Sequence, residues 1–256
     1  STEADVWDAL IGVDSDASGQ NVKLVYNNTF VPATPYDQGT CEYWNREHLW
    51  SRSLGVGSTG KDNTDIHHLR PCDCNVNSAR SNLYFGACGT GVPASQCTSP
   101  AHPEAAIDTE KDSVSFLPPA DRRGDIARAI LYMDLRYDGD DANSLDLVVS
   151  DCPKTVPNGA GIGYLSQLLQ WHLEDPPDAE EIQRNGEVCA DWQGNRNPFV
   201  DYPELASTYH GGSRPLLGDG LGYDCTVSPP PSPPTGPGVC SDDNSRSCSS
   251  IDQCLC

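Results

Sequence analysis

The chain has 256 residues, of which 37% are hydrophobic, with 12 cysteines and a formal net charge of −21. That length supports one sizeable core plus an appendage, and the lack of any run of 18 apolar residues excludes a helical membrane span. So acidic a balance argues against a general polyanion-binding surface and leaves nucleic-acid chemistry only to a locally neutral patch.

The chain begins at Ser1 with no apolar leader, which together with its 12 cysteines points to a mature secreted protein. Residues 4–12 predict a short amphipathic helix, Val22 to Tyr26 a strand, and Pro32 to Gly39 a loop. The triplet Asn27-Asn28-Thr29 is a sequon that would permit a glycan on Asn27 in a eukaryotic source. Trp44 to Trp50 lacks Gly and Pro and reads as a strand, followed by loop signals from Gly55 to Asn63. Asp65 to Leu69 reads as a second strand, and Asp73 to Leu83 as a helix with Asp73 in its first turn. Asn77 and Arg80 are three apart, hence on one helix face. Two strands and a helix thus converge on one pocket. Gly86 to Pro119, with Cys88, Cys97 and five prolines, is irregular and reads as a loop pinned by a disulfide.

Asp121 to Tyr137 is the clearest helix, with Ile126, Ile130, Met133 and Tyr137 forming a buried stripe. Its arginines (Arg122, Arg123, Arg128, Arg136) present either a substrate-groove face or a solvated one. Asp138 to Asn143 is an acidic turn without the spacing of a calcium loop. Gly163 to Leu173 and Asp178 to Val188 read as further helices, with His172 a satisfied, partly buried histidine. Residues 226–239 form a Pro-rich linker extended at about 3 Å per residue. Residues 240–256 hold Cys240, Cys248, Cys254 and Cys256 in a small module that only disulfides can shape.

Phosphodiester hydrolysis needs a base for water, a cation for the developing charge and donors for the phosphate. His48 suits the base, since an imidazole is half neutral near pH 6.5. Glu47 and the Asn77 oxygen are hard ligands of the kind Mg²⁺ accepts, and Arg80 offers a forked phosphate donor. His67 and His68, adjacent on a strand, point to opposite faces. At most one reaches the site, and both are assigned to shaping the fold around it. Cys41 to Phe85 balances five cations against five anions, so the net −21 resides elsewhere. Only four lysines are present, and acidic, lysine-poor surfaces suit saline water.

Arg46-Glu47-His48, Asp65-Ile66-His67-His68-Leu69-Arg70-Pro71 and Asn77-Ser78-Ala79-Arg80-Ser81-Asn82 together resemble the bacterial endonuclease I family. Val6-Trp7-Asp8-Ala9-Leu10, Ala127 through Tyr137, and Gln193-Gly194-Asn195-Arg196-Asn197-Pro198-Phe199 look like its flanking blocks. The resemblance runs from about residue 5 to about residue 205. It implies an α+β, disulfide-stabilised domain (1–225) around a ββα-metal, or His-Me, finger at 44–85. It further implies a secreted, metal-dependent, non-specific endonuclease acting on DNA, or RNA as well, and leaving 3′-hydroxyl and 5′-phosphate ends. His48 would be the base, Glu47 and Asn77 would hold Mg²⁺ (Mn²⁺ or Ca²⁺ as alternatives), Arg80 would lie near the scissile phosphate, and Asp65, His67 and His68 would support the finger. Ser51 stands where the family usually has proline.

The domain's other cysteines (Cys41, Cys72, Cys74, Cys88, Cys97, Cys152, Cys189 and Cys225) are disulfide candidates in 105 possible pairings. Cys72 and Cys74, beside His67 and His68, allow a zinc site as the lesser alternative to disulfides. The tail would tether the enzyme to a surface, a matrix or another subunit. The rival reading is a structural or adhesive extracellular protein on a nuclease scaffold, favoured by the −21 charge and the cysteine tail and opposed by the intact Glu47, His48 and Asn77.

Overall fold

Asp5 opens helix α1 (Val6–Asp14): its carboxylate accepts from the Trp7 and Asp8 N–H groups, and Asp8 returns a bond to the Asp5 N–H. This reciprocal cap satisfies donors that the helix itself cannot. The computed structural model describes residues 4–210, except positions 38, 91 and 141–143, together with a strand pair at Val239–Cys240 and Arg246–Ser247. Most of the predicted linker and tail, with Cys225, Cys248, Cys254 and Cys256, and the end of the predicted acidic turn lie outside the described residues.

From α1, Ala9, Leu10 and Val13 pack with Val22 and Leu24 beside strand β1 (Asn21–Lys23), which pairs antiparallel with β2 (Phe30–Pro32). Strand β3 (Trp44–His48) follows, then the short helix α2 (Lys61–Thr64), strand β4 (Leu69–Asp73) and helix α3 (Cys74–Arg80). β3 and β4 are antiparallel, with Trp44 opposite Asp73 and His48 opposite Leu69.

The second strand therefore lies four residues beyond its predicted position at Asp65 to Leu69. The Asp65 carboxylate accepts from His67 N at 2.8 Å and the Asp65 carbonyl from His68 N at 3.4 Å. These bonds close a turn where alternation alone suggested a strand. Pro71 is a member of β4. Its carbonyl accepts from Val25 N at 3.0 Å, on the side away from β3. In an antiparallel strand the N and O of one residue point the same way, so the missing N–H is one the β3 ladder never uses. Asp73 is the N-cap of α3, accepting from Asn75 N and Val76 N. The helix stops at Arg80 and not at Leu83, because Ser81 turns to φ 54°.

Beyond α3, β5 (Tyr84–Phe85), β6 (Glu110–Lys111) and β7 (Ser115–Leu117) form a small sheet in the order β5-β7-β6. The Cys88–Cys97 disulfide closes the loop between β5 and β6, as expected. Helix α4 (Arg123–Arg136) is central: Ile126 to Met133 are all buried, so its apolar surface is not the single stripe that periodicity indicated. Strands β8 (Val148–Val149) and β9 (Gly161–Ile162) pair in parallel and lead to α5 (Leu165–Glu174), α6 (Ala179–Glu187), α7 (Pro198–Asp201) and α8 (Glu204–His210).

The β3–β4 pair sits between two apolar clusters. Leu49, Trp50, Cys72, Val76 and Phe85 pack into the cluster of α4 and α5, while Trp44, Ile66 and Leu69 pack against α1 and β1. The site is thus anchored from both sides.

The arginines expected on one groove-facing or solvated side of α4 divide: Arg136, half-buried, lines a cavity with Lys61, Asp65, Gln193 and Asn195, whereas Arg128 and Arg122 turn into ion pairs. Arg128 is fully buried, its Nε within 2.8 Å of both Glu181 carboxylate oxygens, and Arg122 pairs with Asp125 at 3.0 Å. Burial demands such pairing. His172 is buried as a structural histidine, with Nε2 2.8 Å from the Pro203 carbonyl, although its Nδ1 is left without a partner among the described residues.

Candidate active site

Adjacent residues on a strand point to opposite faces, and β3 follows that rule. Asn45 and Glu47 point to one side, and Trp44, Arg46 and His48 to the other. Helix α3 covers the strand edge that β4 leaves unpaired. There Asn77 Nδ2 donates to the Arg46 carbonyl at 3.2 Å and to Asn45 Oδ1 at 2.8 Å. Arg80 donates to the His48 carbonyl at 3.1 Å and to the Leu49 carbonyl at 2.6 Å. Two side chains one helical turn apart thus do the work of a neighbouring strand, so the expected shared face of Asn77 and Arg80 is present.

Glu47 is buried. Its Oε1 accepts from Tyr26 Oη at 2.8 Å and meets Arg80 Nη1 at 3.0 Å. Burial pushes the Glu47 carboxyl up, and Arg80 and Tyr26 pull it back. Both partners converge on Oε1, and the His48 backbone N–H adds a further stabilising bond to the carboxylate. The Asn77 amide is turned so that its nitrogen faces Asn45 and Arg46, which aims its oxygen away from them.

His48 Nε2 lies 3.0 Å from the Asn63 carbonyl and 3.2 Å from Asn63 Oδ1. A carbonyl only accepts, so Nε2 carries the proton and Nδ1 the lone pair. Burial, reinforced by the charges of Arg52 and Arg46 and opposed by Asn63, holds the imidazole down to about 4.

Arg80 was expected beside the scissile phosphate. Its guanidinium is instead 1% exposed and committed to Glu47, to the 48 and 49 carbonyls, and to Ser51 Oγ at 2.7 Å. Ser51, at the family's proline position, supplies that oxygen.

His67 and His68 lie in the turn before β4, not on a strand, and both are buried. His67 Nε2 faces the Asn195 carbonyl at 3.0 Å, and His68 Nε2 faces the Asp62 carbonyl at 2.8 Å. The His68 ring also packs edge-on against His48, 5.5 Å between centroids. Asp65 accepts from Tyr132 Oη and Tyr137 Oη at 2.8 Å each and from Gln193 Nε2 at 3.0 Å. Burial alone would raise Asp65, but the nearby histidines and these donors bring it below the usual carboxylate range.

Sequence reasoning missed Tyr26, Asn45 and Asn63, whose roles arise only from long-range contacts. Gln193 and Asn195 lay in a quoted flanking block and could have been found there.

The Cys41–Cys74 disulfide anchors the start of α3 to the segment before β3 and removes Cys74 from any zinc site. Cys152 and Cys189 are disulfide-bonded as well. Cys72, a disulfide candidate by sequence, is free because it points into the core with Val76 and Phe85. At the sequon, Asn27 Nδ2 already donates to the Glu104 carbonyl at 2.6 Å.

The family description Endonuclease I matches residues 2–204. The chain is 41% identical over 205 residues to an extracellular ribonuclease of Bacillus amyloliquefaciens, covering 78% of this chain and 65% of that one. It is 40% identical over 206 residues to the extracellular ribonuclease of Bacillus subtilis (strain 168), covering 79% and 66%. An extracellular deoxyribonuclease of Aeromonas hydrophila is 30% identical over 141 residues, covering 54% and 49%. The chain thus spans just under two thirds of the length of the two ribonucleases.

Proposed function

The chain belongs to the endonuclease I family, and from that premise we propose that it is a secreted, divalent-metal-dependent endonuclease cleaving phosphodiester bonds in DNA and RNA. The observation that carries this reading is that α3 lies along β3, Arg80 bonding Glu47 and the His48 carbonyl and Asn77 the Arg46 carbonyl, so that one helix ties together the strand that bears Glu47 and His48. In this reading the β3–β4–α3 unit is the ββα-metal finger. Relatives named for ribonuclease and for deoxyribonuclease activity support both polymers. Their extracellular names, with the Cys41–Cys74 and Cys88–Cys97 disulfides, support an oxidising, extracellular setting.

His48 acts as general base. Neutral at pH 7, it takes a proton from the attacking water at Nδ1, while the Asn63 carbonyl fixes the tautomer and steadies the imidazolium that results. The Glu47 carboxylate and Asn77 Oδ1 are a hard-oxygen donor set that fits Mg²⁺ better than a softer metal, with Mn²⁺ and Ca²⁺ as alternatives. When bound, the ion supplies charge stabilisation for the phosphoryl oxygens. Arg80 works as a positioning residue, locking Glu47 and the carbonyls after His48. Asp65, His67 and His68 hold the turn that sets the register of β4 and, through His68, one side of the His48 ring.

We keep 1–225 as the nuclease domain, 226–239 as spacer and 240–256 as a module that tethers the enzyme to a surface, a matrix or another subunit. The rival, a structural or adhesive protein, rests on the −21 charge. Incubating the protein with plasmid DNA and structured RNA, with and without EDTA, tests the choice. Cleavage of either polymer that EDTA abolishes supports the nuclease; intact substrates at high enzyme concentration refute it.

A further inference from the structure

We propose that Arg46 and Arg52 form the cationic clamp that holds the phosphate backbone of a nucleic-acid strand against His48, a placement resting on the nuclease reading above. Arg46 stands two residues before His48 and so projects from the same face of β3, about 7 Å along the strand. Its guanidinium carbon lies 4.5 Å over the Trp7 ring. Trp7 is in turn stacked on Tyr36, with centroids 4.2 Å apart and planes at 8°. A guanidinium held by its face on an aromatic ring keeps its N–H edge free, which is the edge that grips a phosphate oxygen pair. Arg52 is exposed and begins the turn Arg52–Leu54, just past the end of β3. It is near enough for its charge to disfavour protonation of both Arg46 and His48.

The contrast with other arginines carries the argument. Arg80, Arg122, Arg128, Arg184 and Arg196 each have a carboxylate within 3.0 Å. Among the described residues, Arg46, Arg52, Arg70, Arg123 and Arg136 have none within 4.0 Å. Arg70 is spent on the 66, 67 and 69 carbonyls and Arg123 on the Pro118 carbonyl, and Arg136 stands on α4 and not on the hairpin. Asp5 is the acid that influences Arg46, and its carboxylate is spent capping α1, 2.8 Å from Trp7 N and 3.2 Å from Asp8 N. In a chain of net charge −21, two unmatched cations beside the base give the substrate's own charge somewhere to go. A phosphate arriving there displaces no ion pair. With Arg80 buried and Arg70 bonded to the 66, 67 and 69 carbonyls, Arg46 and Arg52 are the guanidinium groups beside the hairpin left to reach it.

The test uses the full chain and a 5′-fluorescein-labelled single-stranded oligodeoxynucleotide, with its ribo counterpart, and measures kcat and KM across a NaCl series. Arg46→Gln and Arg52→Gln are each expected to raise KM roughly ten-fold or more. They should also flatten the slope of log(kcat/KM) against log[salt] by about 0.7 for each lost contact, with little change in kcat or Tm. Arg46→Lys should recover the salt slope and only part of KM, because it restores charge without the fork. Arg52 is exposed, so its variant keeps the test open should Arg46→Gln fold poorly. Wild-type KM and salt slope in both Gln variants would overturn the clamp while leaving the nuclease intact. A KM rise with unchanged salt slope and a lowered Tm would overturn it too, marking Arg46 as packing. If the wild-type chain cleaves neither oligonucleotide, the nuclease reading itself fails and the clamp falls with it.

Discussion

On one side of β3, Glu47 is 2% and Arg80 1% exposed, and they meet at 3.0 Å with Tyr26 completing the cluster. On the other, Arg46 and His48 keep contact with solvent, Arg52 is exposed, and neither arginine has a carboxylate. The same side-chain types serve opposite ends. The buried side spends its charges on each other and on backbone carbonyls, so its value is rigidity. The open side leaves its arginines without a carboxylate, which is what the proposed contact with a substrate requires. In the proposed function the metal ligand takes the first setting and the phosphate the second, and strand alternation supplies both within two consecutive residues.

Removing the base should show the open side's effect most strongly. His48→Ala is expected to lower kcat by about 10²- to 10⁴-fold with Tm nearly unchanged, since the truncation opens no core cavity. Wild-type turnover in that variant would mean that another group activates the water. On the buried side, Arg80→Met should cost about 3–5 kcal/mol in urea unfolding, because Glu47 would be left as a buried charge without its partner. A loss below about 1 kcal/mol would show that the cluster is not the locked element described.

Asn77→Leu bears on the edge between the two sides. The metal concentration for half-maximal activity should rise strongly. Stability should fall by about 1 kcal/mol for the lost bond to the Arg46 carbonyl. An unchanged metal requirement would remove Asn77 from the ligand set.

The buried histidines set a pH dependence of folding. Burial holds His67 down to about 4 and His68 to about 3, against about 6.5 in the unfolded chain. Between these values the unfolded state binds more protons. The stability tied to neutral imidazole is therefore complete above pH 6.5 and lost as pH falls toward 4, at up to about 1.4 kcal/mol per pH unit for each group. Urea midpoints at pH 7.5 and pH 5 measure it; equal midpoints would contradict the burial of these rings. The smallest effect is expected from deleting residues 228 to 256, which should leave cleavage of soluble substrate unchanged, because every proposed site residue precedes Pro119. Lost specific activity in a folded truncation would place the tail in the active unit.

The candidate site was legible to the extent that its chemistry is local. Arg-Glu-His, the paired histidines and Asn-x-x-Arg name their own reactivity, and the spacing of Asn77 and Arg80 on one helix face held. Helix starts at Asp5, Asp73 and Asp178 were legible too, because a cap is a bond to residues two or three positions away. The misplaced second strand shows where local reading stops. The Asx turn at Asp65 is a bond to His67 two residues on, but Tyr132, Tyr137 and Gln193 hold its carboxylate in place, and the carbonyl of Pro71 faces Val25, all partners far along the chain.

What the sequence by itself determined was the inventory: an imidazole, oxygen groups of the kind a hard metal accepts, a hairpin followed by a helix, and enough cysteine to staple them. Only the tertiary structure decided how each arginine is used. Arg128 became a core residue because Glu181, 53 positions away, closes over it. Arg80 became a brace because the uncovered edge of β3 presents carbonyls that must be satisfied. Arg46 stayed available because Trp7 offers it a ring and no charge. A guanidinium carries the same donors everywhere, so its role follows from whether folding brings a carboxylate, a carbonyl or solvent to meet them.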